Sequence, residues 1–137
     1  MKKTFILLLI FFSSYGLYAY AQPLQVEVFD VKQSEVIKQI PLEENIRKEA
    51  FSLVKSADSL FPKLNPTPIS GFMVKVPFEP EEEIETKVLH QKVNQVIFIF
   101  PEAEKPYMLI FNEKKQPMFY YFSEDHLSFL KHIKMEL

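Results

Sequence analysis

Three apolar segments of strand length follow one another between Val96 and Phe122, and short polar loops separate them. They read Val-Ile-Phe-Ile-Phe, Tyr-Met-Leu-Ile-Phe and Pro-Met-Phe-Tyr-Tyr-Phe, a succession that predicts a β-meander. The first segment is apolar on both sides: one side carries Val96, Phe98 and Phe100, and the other carries Ile97 and Ile99. A strand of this kind is buried on both sides. The pattern therefore places this segment at the centre of a sheet that is covered on both faces.

Alternating apolar and polar residues predict three further strands nearer the N-terminus. Leu24–Val31 alternates as a half-buried strand does, and Val36–Ile40 follows it after a polar break. The two segments predict a β-hairpin that ends at Pro41, because proline cannot donate to a sheet ladder. Gly71 precedes a third alternating segment, Phe72–Phe78.

Apolar residues at three- and four-residue spacing predict two amphipathic helices. The first is expected over Glu43–Phe61, where Pro62 ends it. The second is expected to begin after Ser123 as N-cap, with Phe129 at the edge of its apolar face. That apolar face comprises Leu127, Leu130 and Ile133.

Residues 79–94 fit two interpretations. Glu79-Pro80 followed by glutamates is typical of a helix start, whereas Thr86, Val88 and Val93 suit an edge strand. We interpret the stretch as a loop followed by a short extended segment. The whole order predicts an α+β fold, with a mainly antiparallel sheet of about five to six strands and two amphipathic helices.

The N-terminus has the pattern of a signal peptide. Lys2 and Lys3 precede the apolar run Phe5–Phe12, and Ala19-Tyr20-Ala21 matches a signal-peptidase site. We therefore expect residues 1–21 to be removed before Gln22, which leaves 22–137 as a single domain that is secreted or otherwise extracytoplasmic. The alternative is an uncleaved membrane anchor, because the segment is about long enough to cross a bilayer.

The charge of the chain argues against a nucleic-acid partner. Loss of Lys2 and Lys3 leaves 14 basic and 18 acidic residues, a net charge of −4. No basic block is present, and phosphate binding needs clustered lysine and arginine. Contact with a membrane is expected only through the N-terminal segment.

The composition excludes several classes of enzyme. The chain has no cysteine, which rules out disulfides, thiolate nucleophiles and cysteine-based metal sites. Gly71 is the only glycine outside the signal segment, so phosphate-cradling loops, dinucleotide fingerprints and nucleophile elbows are excluded as well. His90, His126 and His132 lack the spacing of a helical metal pair. We expect no cofactor, no metal site and no catalytic residue of a recognisable motif.

Two groups of side chains are candidates for an interaction surface. Glu81, Glu82 and Glu83 form an acidic loop, which is either simply solvated or an electrostatic contact for a basic partner. The second group belongs to an aromatic cluster that is mostly core packing, in which neighbouring tyrosines face opposite sides and one is expected to reach the surface. This group comprises Tyr107, Tyr120 and Tyr121.

A second hypothesis concerns the meander itself. If one of its faces is left uncovered by the helices, that face is a partner site. The residues assigned to it are Ile97, Ile99, Met108, Ile110, Phe119 and Tyr121.

The short Lys-Lys signal and the style of the mature domain resemble the small exported proteins of unknown function of Bacillus-type bacteria. The resemblance implies export and carries over no functional residue. We therefore expect an exported, non-catalytic binding or interaction protein of the bacterial cell envelope, whose partner is an unknown protein or envelope component. The alternative is a small hydrolase that uses scattered carboxylates with His126 or His132.

The signal-peptide pattern makes a prediction about the mature protein. The intact mass of exported protein should correspond to a chain that begins at Gln22, because Ala19 and Ala21 are the small residues that signal peptidase recognises. The Ala21→Phe variant should retain residues 1–21. A wild-type protein that keeps its full mass and stays with the membrane would instead establish the anchor.

Overall fold

A computed structural model describes residues 23–61 and 68–137, so the segment predicted as a signal peptide lies outside the described residues. The described strands are β1 Gln25–Asp30, β2 Glu35–Pro41, β3 Ala57–Leu60, β4 Phe72–Glu85, β5 His90–Phe100, β6 Tyr107–Phe111 and β7 Pro117–Phe122. The described helices are α1 Glu44–Lys55 and α2 Leu127–His132. The strands form one antiparallel sheet in the order β2-β1-β4-β5-β6-β7-β3. The α+β class is confirmed, and this part of the chain has seven strands rather than the five to six predicted.

The predicted meander lies in the middle of this sheet. β5 is the fourth of the seven strands, and its Val96–Phe100 segment is buried on both faces, as predicted. The cross-strand pairs are Ile97 with Leu109, Phe98 with Met108 and Ile99 with Tyr107. Directly paired residues share a face of the sheet. The register therefore corrects the predicted face: Leu109 and Tyr107 accompany Ile97 and Ile99, and the even-numbered positions of β6 lie opposite.

The two faces of the sheet carry separate hydrophobic clusters. The first-face cluster joins Phe98, Met108 and Ile110 to the buried sides of α1 and α2. The second-face cluster contains no residue of either described helix, and it includes Met73, Ile97, Ile99, Tyr107 and Leu109. Phe61, which follows β3, packs its ring 4.2 Å from that of Tyr107 on this face. Both helices of the described chain therefore pack against the first face.

The second face also holds a buried ion pair. Lys75 is 1% exposed, and its Nζ lies 3.2 Å from Oε2 of Glu27, which is 13% exposed. The two residues are direct cross-strand partners on β1 and β4. Within the described residues that carboxylate oxygen accepts no well-aligned hydrogen bond, so the contact is chiefly electrostatic. Removing one charge of such a pair is destabilising because it leaves the other charge buried alone.

The first helix is shorter than its apolar spacing predicts. α1 ends at Lys55, and Ala57–Leu60 forms the edge strand β3. This strand pairs with β7, where Ala57 faces Phe122 and Leu60 faces Tyr120. Local spacing allowed the helix to continue, but the unpaired edge of β7 provided ladder hydrogen bonds that a longer helix would forgo.

In the ambiguous stretch 79–94, residues 79–85 belong to β4 rather than to the predicted loop, whereas the predicted extended segment corresponds to the start of β5 at His90. β4 continues through Glu85 and β5 begins at His90, so the two strands extend beyond their neighbours as a two-stranded arm. We use "arm" for residues 79–94. A register shift between Pro77 and Glu82 separates the arm from the rest of the sheet. Proline at position 80 cannot donate to a ladder, which explains why the pairing is interrupted there.

Arg47 attaches the arm to α1. Its Nη1 lies 2.6 Å from Oε1 of Glu82, and its Nη2 donates to the carbonyl of Pro80 at 2.9 Å. The guanidinium also lies 5.6 Å from the centre of the Phe78 ring. These contacts reach the arm on its first-face side, so the opposite side is left for other contacts.

The second helix begins later than predicted. Its N-cap is His126 rather than Ser123, whose N–H donates to the carbonyl of Ser56 at 3.0 Å. Leu127 is 61% exposed rather than on the apolar face, and Phe129 is buried rather than at its edge. The hydrogen bond from Ser123 to Ser56 holds the preceding segment against the end of α1, so α2 starts later than predicted. The buried face of α2 therefore differs from the predicted face at Leu127 and Phe129.

Gly71 should be the most sensitive backbone position of the sheet. Its φ is +98°, and a Cβ there would lie 2.1 Å from the carbonyl oxygen of Phe100. Gly71→Ala should therefore lower the free energy of unfolding by more than about 2 kcal/mol, as measured by chemical denaturation. Ser70→Ala, the neighbouring control, should change it by less than about 0.5 kcal/mol. Equal losses in the two variants would contradict the assignment.

Arg47 should stabilise the arm more than its neighbour does. Arg47→Met removes a partly buried, charge-assisted contact, so we expect unfolding to become easier by about 1–2 kcal/mol. Amide hydrogen exchange should rise in residues 79–94 in particular. Lys48→Met removes an exposed charge from the same helix and should leave both measurements nearly unchanged. Exchange that rises evenly over the whole sheet would contradict a local anchor.

Candidate functional site

An open polar cleft separates the arm from the loop between β6 and β7. Its volume is about 920 Å³. The arm and that loop both contribute to its wall, and the hydrophobic contribution includes Phe111. Its charged rim comprises Glu81, Glu83, Glu85, Glu113, Lys92 and Lys115. Acidic side chains therefore outnumber basic ones in this part of the surface.

Strand alternation divides the predicted acidic group. Glu81 and Glu83 line the cleft, whereas Glu82 turns to the first face and pairs with Arg47. Ile84 follows Glu82 into the first-face core. Glu85 joins the two cleft glutamates because successive side chains of a strand point to opposite faces. The alternation Glu81, Glu83, Glu85 was visible in the sequence, but it had meaning only once the segment was known to be a strand.

The cleft also contains a strand edge. β6 pairs with β5 only over Ile97–Ile99, so in the described part of the chain the outer half of β5 has β4 as its ladder partner. At the turn of the arm, the Thr86 N–H bonds the carbonyl of Leu89 at 2.8 Å. In an antiparallel pair, hydrogen-bonded residue pairs alternate with pairs that are not hydrogen-bonded. Counting from Thr86 and Leu89, His90 and Lys92 are not hydrogen-bonded to β4, so their backbone N–H and C=O groups point away from β4, towards the cleft.

Gln91 spans the inner end of the cleft. Its Nε2 donates to the carbonyl of Phe111 at 2.7 Å and, more weakly, to that of Lys92 at 3.5 Å. This side chain links β5 to the end of β6 where the two strands no longer pair. At the outer end, Nδ1 of His90 lies 2.7 Å from Oε2 of Glu85, and both groups are exposed. Gln91 therefore lies between the two residues whose backbone groups face the cleft, and the His90–Glu85 contact lies beside it.

The three tyrosines have different environments. Tyr107 and Tyr120 are buried, on the second and first face respectively, whereas Tyr121 is half-buried on the second face. Tyr120 and Tyr121 thus face opposite sides, as their positions predicted. Nζ of Lys105 lies 4.7 Å from the centre of the Tyr121 ring. Of the three rings, only Tyr121 contributes appreciable surface.

The buried tyrosines remain neutral under physiological conditions. Burial raises the pKa of Tyr120. Burial, together with the charges of Glu104 and Tyr121, raises the pKa of Tyr107 strongly. Since the ordinary tyrosine pKa is already near 10, neither hydroxyl can act as a phenolate base or nucleophile near neutral pH.

His132 belongs to a hydrogen-bonded seam between the helices. Its Nδ1 lies 2.8 Å from Oε2 of Glu49, and the hydroxyl of Ser128 donates to Oε1 of the same carboxylate at 2.5 Å. A Ser–His–acid triad requires the histidine between the hydroxyl and the acid. Here the carboxylate lies between them, so the arrangement joins two helices and lacks the geometry that would activate a serine.

His126 packs against aromatic rings. Its ring centre is 5.4 Å from that of Phe100 and 6.0 Å from that of Phe122. Over residues 23–61 and 68–137, no group of three or more acidic or histidine side chains could hold a metal ion. No helix within those residues is long and apolar enough to cross a membrane.

Comparison with known protein families, with curated proteins and with solved structures found no match to this chain.

Proposed function

We propose that the protein is an exported, non-catalytic binding protein of the bacterial cell envelope, and that its cleft holds an extended, basic segment of a partner protein. The observation that supports this proposal is the combination of an outward-directed strand edge with an acidic wall in one cleft. Export is inferred from the N-terminal sequence pattern.

The edge of β5 suits the addition of a strand. An extended peptide that binds a sheet edge obtains affinity from main-chain hydrogen bonds and specificity from alternate side chains. The backbone groups of His90 and Lys92 would supply the main-chain bonds. The carbonyl of Phe111, which Gln91 now occupies, lies where such a strand would enter the narrow end. Displacing the Gln91 amide would exchange one hydrogen bond for another.

The spacing of the acidic wall matches the spacing of an extended peptide. Glu81, Glu83 and Glu85 occupy alternate positions of β4, so their Cα atoms lie roughly 7 Å apart along the strand. Alternate side chains of an extended ligand have the same repeat. Glu113 faces them from the β6–β7 loop. A strand added to β5 would lie two strand spacings, roughly 9.6 Å, from β4, so long basic side chains at every second position of the partner are needed to reach these carboxylates.

The rim also contains basic groups that moderate this preference. Lys92 faces Glu83 across the arm, and His90 contacts Glu85. The contact with His90 holds Glu85 in place, and the neighbouring Lys92 offsets part of the negative charge near Glu83. Glu81, Glu83 and Glu113 form no ion pair among the described residues, and Glu81 and Glu113 have no basic cross-strand partner. They are the carboxylates best placed to meet a cation of the partner.

One arrangement bears on the alternative, a carboxylate- and histidine-dependent hydrolase: His126 lines a cavity whose rim carries Asp30, Glu102, Glu104 and Glu136. Among the described residues, however, no ion pair joins His126 to a carboxylate. His132 is bound in the helix seam with the wrong order of groups, and His126 packs against two phenylalanines. Both buried tyrosines stay protonated. A binding role needs none of these groups to be activated.

Fluorescence anisotropy with a labelled peptide of alternating lysine and threonine tests the cleft. Neutralising Glu81, Glu83 and Glu85 to glutamine should weaken binding about tenfold, because exposed ion pairs are each worth up to about 1 kcal/mol. The matched control neutralises Glu35, Glu43 and Asp58, which are exposed and distant, and should change affinity less than about twofold. Glu82 is kept in both variants because it holds the arm.

Two competitor peptides separate charge from strand addition. An alternating glutamate–threonine peptide should not bind, and neither should the lysine peptide with an N-methylated backbone, which cannot pair with β5. Equal binding of the N-methylated peptide would refute strand addition. Equal losses in the two triple variants, or failure of the lysine peptide to bind the wild-type protein, would refute the cleft as a site for a basic segment.

A further inference from the structure

A second cavity lies at the opposite end of the β4–β5 hairpin from the arm. Its volume is about 450 Å³. Phe72, the first residue of β4, and Phe100, the last residue of β5, contribute to its wall. His126 adds a third ring from the start of α2. Cavities of about 300–1,000 Å³ with an apolar wall and a few polar groups are typical of small-molecule sites.

Aromatic rings form the apolar part of this cavity. The ring centres of Phe72 and Phe100 are 5.2 Å apart, and that of His126 is 5.4 Å from Phe100. Pro101 and Pro106 add further apolar surface from the β5–β6 loop. The positive φ of Gly71 lets the backbone approach Phe100 without a side chain between them. The rings are held by the core, so the wall is preformed.

The rim of this cavity is predominantly acidic. It contains Asp30, Glu102, Glu104 and Glu136, against the single lysine Lys32. Nζ of Lys32 lies 3.6 Å from Oε1 of Glu102, so that ammonium group already has a carboxylate partner. Asp30 also accepts the N–H of Gln33 at 2.8 Å, which ties it to the β1–β2 turn. Glu136 forms no ion pair within the described residues.

From this combination we infer that the cavity binds a small organic cation, with an apolar or aromatic body against Phe72 and Phe100 and an ammonium or guanidinium group at the rim. The faces of aromatic rings attract cations, and burial of the ligand body weakens the screening of that attraction by water. A carboxylate ligand would meet repulsion from four acidic side chains. The site is separate from the cleft, and the two ligands would be bound independently.

NMR titration of the full-length, isotope-labelled chain tests this inference, with 2-phenylethylamine as probe. 2-Phenylethanol and 3-phenylpropionate share its aromatic body but are neutral and anionic. The amine should shift the signals of His126, Phe72 and Phe100 in a saturable way, with a dissociation constant of about 1 mM for a probe this small. The alcohol should bind several-fold more weakly than the amine, and the carboxylate should shift none of these signals.

Charge variants at the rim should change the affinity in opposite directions. Glu102→Gln combined with Glu136→Gln should weaken amine binding about fivefold, whereas Lys32→Gln should strengthen it about twofold. All three side chains are exposed, so these variants should fold as the wild type does. Glu83→Gln combined with Glu113→Gln removes the same charge from the distant cleft and should leave amine binding unchanged.

Three results would overturn the inference. The first is equal binding of the three probes, which would show that the cavity does not select a cation. The second is a set of amine-induced shifts centred on the arm rather than on His126. The third is the absence of a saturable shift at about tenfold the expected constant.

Discussion

The structure depends on one constraint, the two-sided burial of Val96–Phe100. A strand with apolar side chains on both faces can exist in water only if each face is covered. β5 lies fourth among the seven strands of the described residues, with β4 and β6 as neighbours, so both of its edges are paired over its apolar segment. The first face is covered by α1 and α2, and the second carries its own cluster around Ile97, Ile99 and Leu109. Every other element is placed with respect to this strand.

The ends of the β4–β5 hairpin are freed from that constraint and differ in character. At the arm, β4 and β5 extend beyond β1 and β6, and polar residues replace apolar ones. Backbone groups of β5 face the cleft there. At the other end, Phe72 and Phe100 bring core rings to the edge of a cavity. One long hairpin thereby presents a strand edge at one end and an aromatic wall at the other. Both candidate sites are rigidly supported because the core between them is closely packed.

Electrostatics inside the sheet and at its surface follow different rules. Lys75 and Glu27 are paired where water is scarce, so loss of the Lys75 charge would leave the Glu27 carboxylate poorly compensated. The glutamates of the arm are exposed, so each contributes little to stability and is available to a partner. Arg47 lies between these regimes, partly buried and bonded to both Glu82 and Pro80. Through these contacts Glu82 helps to hold the arm on α1, whereas Glu81 and Glu83 line the cleft.

The sequence by itself determined the α+β class, the central meander and the β1–β2 hairpin. The period of hydrophobic residues is a local property of the chain, and burial of those residues stabilises the element that the period predicts. It also identified Glu81 and Glu83 of the cleft and the opposite orientation of Tyr120 and Tyr121. Only the tertiary structure decided β3 at 57–60 and the extension of β4 over 79–85, since the edge of β7 and the neighbouring strand β5 provide ladder hydrogen bonds there. The register of β6 against β5 likewise assigned Tyr107 rather than Met108 to the second face. The cleft and the cavity could not be predicted, because each joins residues that are distant in the chain and adjacent only after the strands have paired.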